Sequence, residues 1–433
     1  MIISFAVTNF RSIHGRAEVS LLKTSLTGHP ENVFKAGKGL NLLKSAVVYG
    51  PNASGKSNLL MGLVALKHLV NKSSSFKTGH SILSYIPFKL DSSATNKPVS
   101  FELSFSVNGI RYDFQISILA DRIVNEELHF YPKRVKSLLY HRQEDKEIKF
   151  GEYYRGAKKN IEKLLQPNQL FFSKAAENNP DSLKDPFIFI TEKLNVFPFL
   201  EFSDENKLEQ LYVRRLAENN DSYFARRFNK LICALDTGIR GIMAKERDWT
   251  KAHFAGQLDD ETIRLLKEEH KYHIRTIHPL FNDKKAVGEI EFSLAEESKG
   301  TQSLFILSGI ILEVLEYGEV LVMDEFERSL HPELTRYLIR LFHNRITNPK
   351  NAQLIFATHD VSQLSGDTFR RDQVWFTEKD EFGGTQVKSL AQVKGVRLNV
   401  PLDKWYSAGK LGATPLINDV DFLIEMQEDE SVL

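Results

Sequence analysis

Gly50-Pro51-Asn52-Ala53-Ser54-Gly55-Lys56-Ser57 is the stretch whose reading decides the fold. It satisfies G-x-x-x-x-G-K-[ST] at every defined position, the pattern of a loop whose backbone N–H groups wrap a phosphate. Its flanks agree. Ser45-Ala46-Val47-Val48-Tyr49 is a short apolar run, as expected of a strand buried on both faces. Asn58 to Lys67 has helical spacing. Gly50 and Gly55 allow the backbone to turn N–H groups inward, and the helix start adds a partial positive charge. Lys56 is then placed to reach β- and γ-phosphate oxygens, and the Ser57 hydroxyl to hold Mg²⁺. A chance glycine loop would lack this strand–loop–helix context.

Working outward, the next chemistry lies far downstream. Glu319-Val320-Leu321-Val322-Met323-Asp324-Glu325 is an apolar strand ending in two carboxylates. Beside the phosphate-loop strand it would deliver Asp324 to Mg²⁺ through the metal's water shell. Glu325, one residue on, would polarise a water in line with the γ-phosphate. About twenty residues earlier, Glu297-Ser298-Lys299-Gly300-Thr301-Gln302 opens an apolar helix from Ser303 to Leu315. A Ser-x-Gly turn at a helix start is a second anion site, although alone it equally describes a capped helix. Ser329 to Leu334 leads into a helix reaching Asn344, with Pro332 suited to the first turn. Gln353 to Asp360 then reads as a buried strand ending in Thr358-His359. A lone His is usually structural, but one at this strand tip can hydrogen-bond a γ-phosphate.

Between these motifs the chain changes character. Residues 1–22 predict two strands, Ile2 to Val7 and Ala17 to Leu22, and residues 23–44 a loop. Ser100 to Val107 and Arg111 to Leu119 alternate in polarity around Asn108-Gly109, a hairpin signal. Further strands are expected at Ile123 to Tyr131, Ser137 to Gln143 and Glu147 to Phe150. From about Pro180 to Tyr272 the pattern is helical and charged, best at Lys207 to Leu216, Ser222 to Leu235 and Asp260 to Tyr272, without sustained heptads. Strands at His273 to His278 and Gly288 to Leu294 follow.

Composition bounds the rest. At 433 residues the chain exceeds one average domain. A net charge of +1, 42% hydrophobic and 26% charged residues describe an ordinary globular protein and do not announce a polyanion partner. The single cysteine, Cys233, read as a helix core residue, excludes an intrachain disulfide and points to a reducing, cytoplasmic compartment. The Met1 to Val7 stretch has no basic leader pattern. The longest apolar run, Leu304 to Leu315, is too short to span a bilayer, so no membrane role is expected.

In this order, these pieces resemble the ABC-type ATPase heads of the SMC, RecF and double-strand-break-repair proteins. Asn9-Phe10-Arg11-Ser12 is similar to that group's Phe-[Arg/Lys]-Ser turn, and Gly50-Pro51-Asn52 to its wording of the loop. Closer still, the chain resembles the AAA-type ATPases of the abortive-infection group, including the ATPase subunit of the RloA–RloB pair. Tyr406-x-x-Gly409-x-x-Gly412-x-x-Pro415 is similar to the ending of that group. The resemblance covers about 1–175 and 285–415.

It implies an α/β P-loop NTPase of ABC-ATPase head type: a mixed sheet core, an antiparallel β subdomain and an inserted helical lobe. It divides the chain into 1–175 (phosphate loop and β subdomain), 176–285 (helical lobe), 286–415 (signature, acidic strand and switch histidine) and a 416–433 tail. It implies ATP and Mg²⁺. Arg11, Asn52, Gly55, Lys56, Ser57 and Asn58 would line the nucleotide, Ser57 and Asp324 would hold the metal, and Glu325 would be the base. Ser298 and Gly300 would form the signature turn, with His359 the switch histidine. Gln169 would couple the metal to the helical lobe. The wording Glu-Ser-Lys-Gly-Thr-Gln keeps only the Ser-x-Gly core of the transporter signature.

Heads of this type pack head to tail, so a homodimer or higher oligomer is implied, each Ser298 closing the other copy's site. One expectation is an anti-phage defence ATPase controlling a separately encoded nuclease or toxin, since no nuclease motif is visible here. The alternative is a DNA-repair or chromosome-associated ATPase that clamps DNA, with Arg214-Arg215 and Arg226-Arg227 as a basic surface, although the mixed signs around them favour a solvated helical face for those arginines. A transporter motor is disfavoured by the signature.

Overall fold

The computed structural model describes residues 1–178, 181–197, 202–219, 222–235, 237–249, 259–393, 395 and 401–412. Ala413, Thr414 and Pro415 of the C-terminal motif and the 416–433 tail lie outside them.

The core is a six-stranded sheet in the order β11–β15–β16–β5–β17–β18. Its strands are β5 (Ser45–Tyr49), β11 (Leu194–Phe197), β15 (Val320–Met323), β16 (Gln353–Ala357), β17 (Val374–Lys379) and β18 (Thr385–Ser389). The first five run parallel, and β18 is antiparallel to β17. β5, β15 and β16 are buried at every residue, the burial that covering both faces of a parallel sheet produces.

Alternation of side chains then divides the interior. Ala46 and Val48 enter one core with α1 (Lys56–Lys72), while Val47 and Tyr49 enter another with α8 (Lys299–Tyr317) and α9 (Pro332–His343). The acidic strand is not the neighbour of the phosphate-loop strand, contrary to expectation. β16, the histidine strand, lies between them.

A seven-stranded antiparallel sheet, β10–β9–β8–β7–β6–β1–β2, forms the second layer. It comprises β1 (Ile2–Thr8), β2 (Ala17–Ser20), β6 (Val99–Val107), β7 (Ile110–Ile118), β8 (Ile123–Phe130), β9 (Ser137–Gln143) and β10 (Lys149–Phe150). Asn108 and Gly109 turn between β6 and β7 with φ of 52° and 77°, as a two-residue primed turn requires. Gln353 ties the two sheets: its Oε1 accepts from Ile2 N at 2.6 Å, and its Nε2 donates to Ile2 O at 3.0 Å. Short helices α2 (Lys159–Leu164), α3 (Phe171–Ala176) and α4 (Asp181–Ile188) follow in the chain.

The inserted lobe carries α5 (Phe202–Glu218), α6 (Tyr223–Ala234) and α7 (Asp260–Glu269). It is less helical than its sequence suggests. β11 belongs to the core sheet, and β12 (Gly241–Glu246), β13 (Tyr272–Asn282) and β14 (Lys285–Ser293) form a three-stranded sheet. A four-residue strand and a lysine- and glutamate-bearing one give almost no periodic signal, so their partners decide them. The loop expected over 23–44 holds a hairpin, β3 (Val33–Gly37) and β4 (Leu40–Leu43). Cys233 is helical but only half-buried, not core. α10 (Leu402–Ser407) is the last helix among the described residues, with Tyr406 stacked on Phe376. Among the described residues no helix is long and apolar enough to cross a membrane.

Candidate active site

The phosphate loop joins β5 to α1 at the C-terminal end of the parallel strands, where such sheets place their ligands. Gly50 is dictated by crowding: a Cβ there would lie 2.3 Å from Thr377 Oγ1. Gly55 is dictated twice, by a φ of 105° and by a Cβ that would meet Thr385 Oγ1 at 2.2 Å. Lys56 is buried, and its Nζ donates to the carbonyls of Gly50 at 2.8 Å and Pro51 at 3.1 Å. Burial lowers its pKa, while the charges of Asp324, Glu327 and Glu325 act in the opposite direction. Asn52 is exposed on the loop.

Two threonines from the β17–β18 hairpin hold this loop, and sequence reasoning missed both. Thr377 Oγ1 lies 2.6 Å from Ser54 Oγ. Thr385 Oγ1 donates to Ser54 O at 2.8 Å and lies 2.9 Å from Ser12 Oγ. Ser12 also accepts from Asn58 Nδ2 at 2.7 Å. The N-terminal turn therefore sits against the loop. Asn9 fixes that turn by donating to Ala94 O at 2.9 Å and accepting from Phe88 N at 3.1 Å. Arg11 has φ 52°, and its buried Nε has no hydrogen-bond partner, a donor suited to an anion.

On the other side of Lys56, β15 delivers the acidic pair. Asp324 Oδ1 accepts from Glu325 N at 3.0 Å, while its buried Oδ2 has no hydrogen-bond partner. Burial raises the Asp324 pKa. The Ser57 hydroxyl, the Glu325 N–H and the Lys56 ammonium oppose that rise, and the Glu325 charge adds to it. An orphaned buried carboxylate oxygen beside Ser57 fits a Mg²⁺ site completed by water and phosphate oxygens. Among the described residues no group of three or more His, Cys, Asp or Glu is placed to hold a metal. Glu325 takes φ 47°, a left-handed backbone costing a non-glycine residue about 1–3 kcal/mol, the kind of strain that gathers at functional sites.

A third carboxylate was not anticipated. Glu327 accepts from His359 N at 3.0 Å, its Oε1 lies 3.6 Å from His359 Nε2, and its Oε2 is buried without a partner. His359 is thus at the rim beside the acids, half exposed.

Ser298 caps α8, accepting from Thr301 N at 3.1 Å, and remains exposed. Gly300 faces the loop after the acids, where a Cβ would come 3.0 Å from Ser329 O. Glu297 fixes the turn from below, accepting from Thr276 Oγ1 at 2.5 Å and lying 2.7 Å from His278 Nε2.

Gln169 does not join this site. Its Nε2 donates to Ser74 O and Phe76 O, both at 2.9 Å, just beyond the C-terminal end of α1. Ser57 is at the other end of that 17-residue helix, about 25 Å away at 1.5 Å per residue. The strand that does flank the acids is β11, whose Phe197 O accepts from Asp324 N at 3.2 Å. Residues 198–201, which follow it, lie outside the described ones.

Residues 45–365 match the model of the family described as "AAA domain, putative AbiEii toxin, Type IV TA system". The chain belongs to this family. The AAA-domain match begins at β5 and ends just past His359, so it takes in both halves of the pocket. No curated protein sequence matches the chain. Among solved structures it is similar to an SMC head bound to the C-terminal winged-helix domain of ScpA, with 12% identity and a TM-score of 0.45 over 90% of this chain and 97% of that one. It is also similar to the SMC head domain from Thermotoga maritima, with 15% identity and a TM-score of 0.39 over 90% and 98%. A third is the Smc head domain with an extended coiled coil bound to the C-terminal domain of ScpA, from Pyrococcus furiosus, with 12% identity and a TM-score of 0.39 over 90% and 97%. The fold of this AAA-domain protein is an α/β P-loop fold, with the phosphate loop between β5 and α1 of a mainly parallel sheet.

Proposed function

We propose that the chain hydrolyses ATP with Mg²⁺, that two copies pack head to tail around the nucleotide, and that this association regulates a separately encoded nuclease or toxin. One observation carries the hydrolytic part: the Asp324–Glu325 pair, with its unpartnered Oδ2 and left-handed backbone, faces a buried phosphate-loop lysine.

In this scheme Lys56 exchanges the carbonyls of Gly50 and Pro51 for β- and γ-phosphate oxygens. Ser57 and Asp324 hold Mg²⁺, which when bound neutralises charge on those oxygens. Glu325 orients the attacking water and accepts its proton. His359, braced on Glu327, contacts the γ-phosphate. Ser298, exposed at the start of α8, is free to close the site of a second copy. Nucleotide binding and association would then be reciprocally linked.

The family description names a toxin of a type IV toxin–antitoxin system, which supports a role in abortive infection. Of the four arginines that the DNA-clamp alternative calls on, Arg215 is neutralised by ion pairs, which weighs against that reading. Arg215 is committed to Glu313 at 3.3 Å and Glu316 at 2.9 Å and lies 3.7 Å over the Phe224 ring. Arg214 donates to Glu268 O and Arg227 to Thr347 O.

The test is a pair of variants. Glu325→Gln should cut turnover roughly 10²–10⁴-fold, the usual contribution of a general base, while retaining ATP and enriching the dimer. Lys56→Ala should lose nucleotide binding. Normal hydrolysis by Glu325→Gln would refute the assignment.

A further inference from the structure

A cavity of about 550 Å³ opens beside the β3–β4 hairpin, lined by segments that lead into three strands of the core sheet. The hairpin precedes β5, Arg345 precedes β16 and Arg370 precedes β17, so the cavity lies at the N-terminal end of the parallel strands, opposite the phosphate loop. One wall is fixed from behind. Arg370 is buried, pairs with Asp372 at 2.9 Å, and donates to Leu26 O at 2.7 Å and to Gly28 O. Asp372 in turn accepts from Thr24 N at 3.0 Å and from Thr24 Oγ1 at 2.7 Å. The loop bordering the cavity is therefore held without a ligand.

The other wall is a polar row across three strands. Lys23 N donates to Asn41 O at 3.1 Å, and Asn41 pairs with Lys35 across β3–β4. Opposed residues of neighbouring strands share a face, so the two lysines stand about 10 Å apart along the backbone with Asn41 between them. Arg345 adds a third exposed cation, and no described Asp or Glu lines the cavity. The side chains of Lys35 and Arg345 have neither a hydrogen bond nor an ion pair among the described residues, and Lys23 Nζ reaches only Thr24 O at 3.0 Å. Lys44 is buried close by, its pKa pushed down to about 8 by burial and then by the Arg345 charge. The whole chain carries 57 basic and 56 acidic residues, so this excess is local. Leu26, Pro30 and Val33 give the cavity an apolar side.

We infer that this cavity is a second anion site, which takes a small ligand carrying a diphosphate or a longer phosphate chain. Two lysines about 10 Å apart with Arg345 beside them suit several linked anionic groups better than one. Lysine meets phosphate as a point charge and arginine as a two-pronged donor. The volume is that of a small-molecule site, and the apolar side gives the body of a nucleotide a surface that an inorganic chain would not use. The site is separate from the phosphate loop and stands whether or not ATP is hydrolysed there.

Calorimetry tests it on the full chain carrying Lys56→Ala, which removes the phosphate-loop lysine, with pyrophosphate and ADP as probes. At least one should bind at a single site, more weakly as salt is raised. Tighter binding of ADP identifies a nucleotide as the ligand, and tighter binding of pyrophosphate an inorganic chain. Adding Lys35→Glu or Arg345→Glu should weaken that binding by about tenfold or more, because a charge-assisted contact becomes a repulsion. Both residues are exposed, so neither change threatens folding. Absence of binding by both probes, binding indifferent to both charge reversals, or capture of a glutamate-rich peptide or duplex DNA through these residues while neither probe binds would each overturn the proposal.

Discussion

Replacing Thr385 by valine isolates the contribution of the β17–β18 hairpin to the phosphate loop. Thr385 is buried, and its hydroxyl bridges Ser54 O at 2.8 Å and Ser12 Oγ at 2.9 Å. Valine keeps the volume and the β-branch, and the bond from residue 385 N to Ser12 O at 2.7 Å is backbone and survives. What disappears is one donor to a loop carbonyl and one contact to Ser12, which still has Asn58. A stranded buried acceptor costs about 1–3 kcal/mol, and a lost hydroxyl pair with a remaining partner adds about 1 kcal/mol. The variant should therefore lose about 2–4 kcal/mol of unfolding free energy in urea titrations. The freed loop must also be ordered again by ligand. If half of the loss appears there, ATP affinity measured by calorimetry falls roughly 5–30-fold, at 1.4 kcal/mol per tenfold. Thr385→Ser keeps the hydroxyl and should retain most of both quantities. A Thr385→Val protein with wild-type stability and wild-type ATP affinity would refute the idea that this hairpin holds the loop.

Gln169→Leu should reduce stability by about 1–3 kcal/mol through the stranded carbonyls of Ser74 and Phe76, yet leave turnover and Mg²⁺ dependence unchanged; a loss of Mg²⁺ dependence would return Gln169 to the site. His343 is fully buried against Ser45, with 2.8 Å from Nε2 to Oγ, and burial, reinforced by Lys44, His29 and Arg340, pushes its pKa down to about 3. Below the ordinary histidine value of 6.5 the unfolded chain gains a proton that the folded one refuses, so stability is full above pH 6.5 and is lost as pH falls toward 3. The loss should reach about 2 kcal/mol at pH 5, and His343→Gln, which cannot titrate, should flatten that part of the urea-derived profile; an equal slope in the variant would locate the titration elsewhere.

Much of the site is legible along the chain because its chemistry is local. A phosphate loop binds with its own backbone, so eight consecutive residues and their flanks carry the signal, and Lys56 and Ser57 follow from position within them. The Asn108-Gly109 hairpin is equally local. Gln169 misleads for the opposite reason. Its place in the chain, just after the β subdomain, says nothing about which end of α1 it meets. β11 is missed because four residues, Leu194 to Phe197, are too few to show a period, and their neighbour β15 lies more than a hundred residues away.

By itself, then, the sequence determined the loop, the acidic strand end, the histidine strand tip and the α/β class, since each is written in contiguous residues with a characteristic spacing. Only the tertiary structure decided that β16 separates the acids from the loop strand, that Thr377 and Thr385 staple the loop, and that Glu327 braces His359. Strand order and side-chain contact between distant segments are set by how buried faces pack together, and that packing leaves no mark on the local pattern of any one segment.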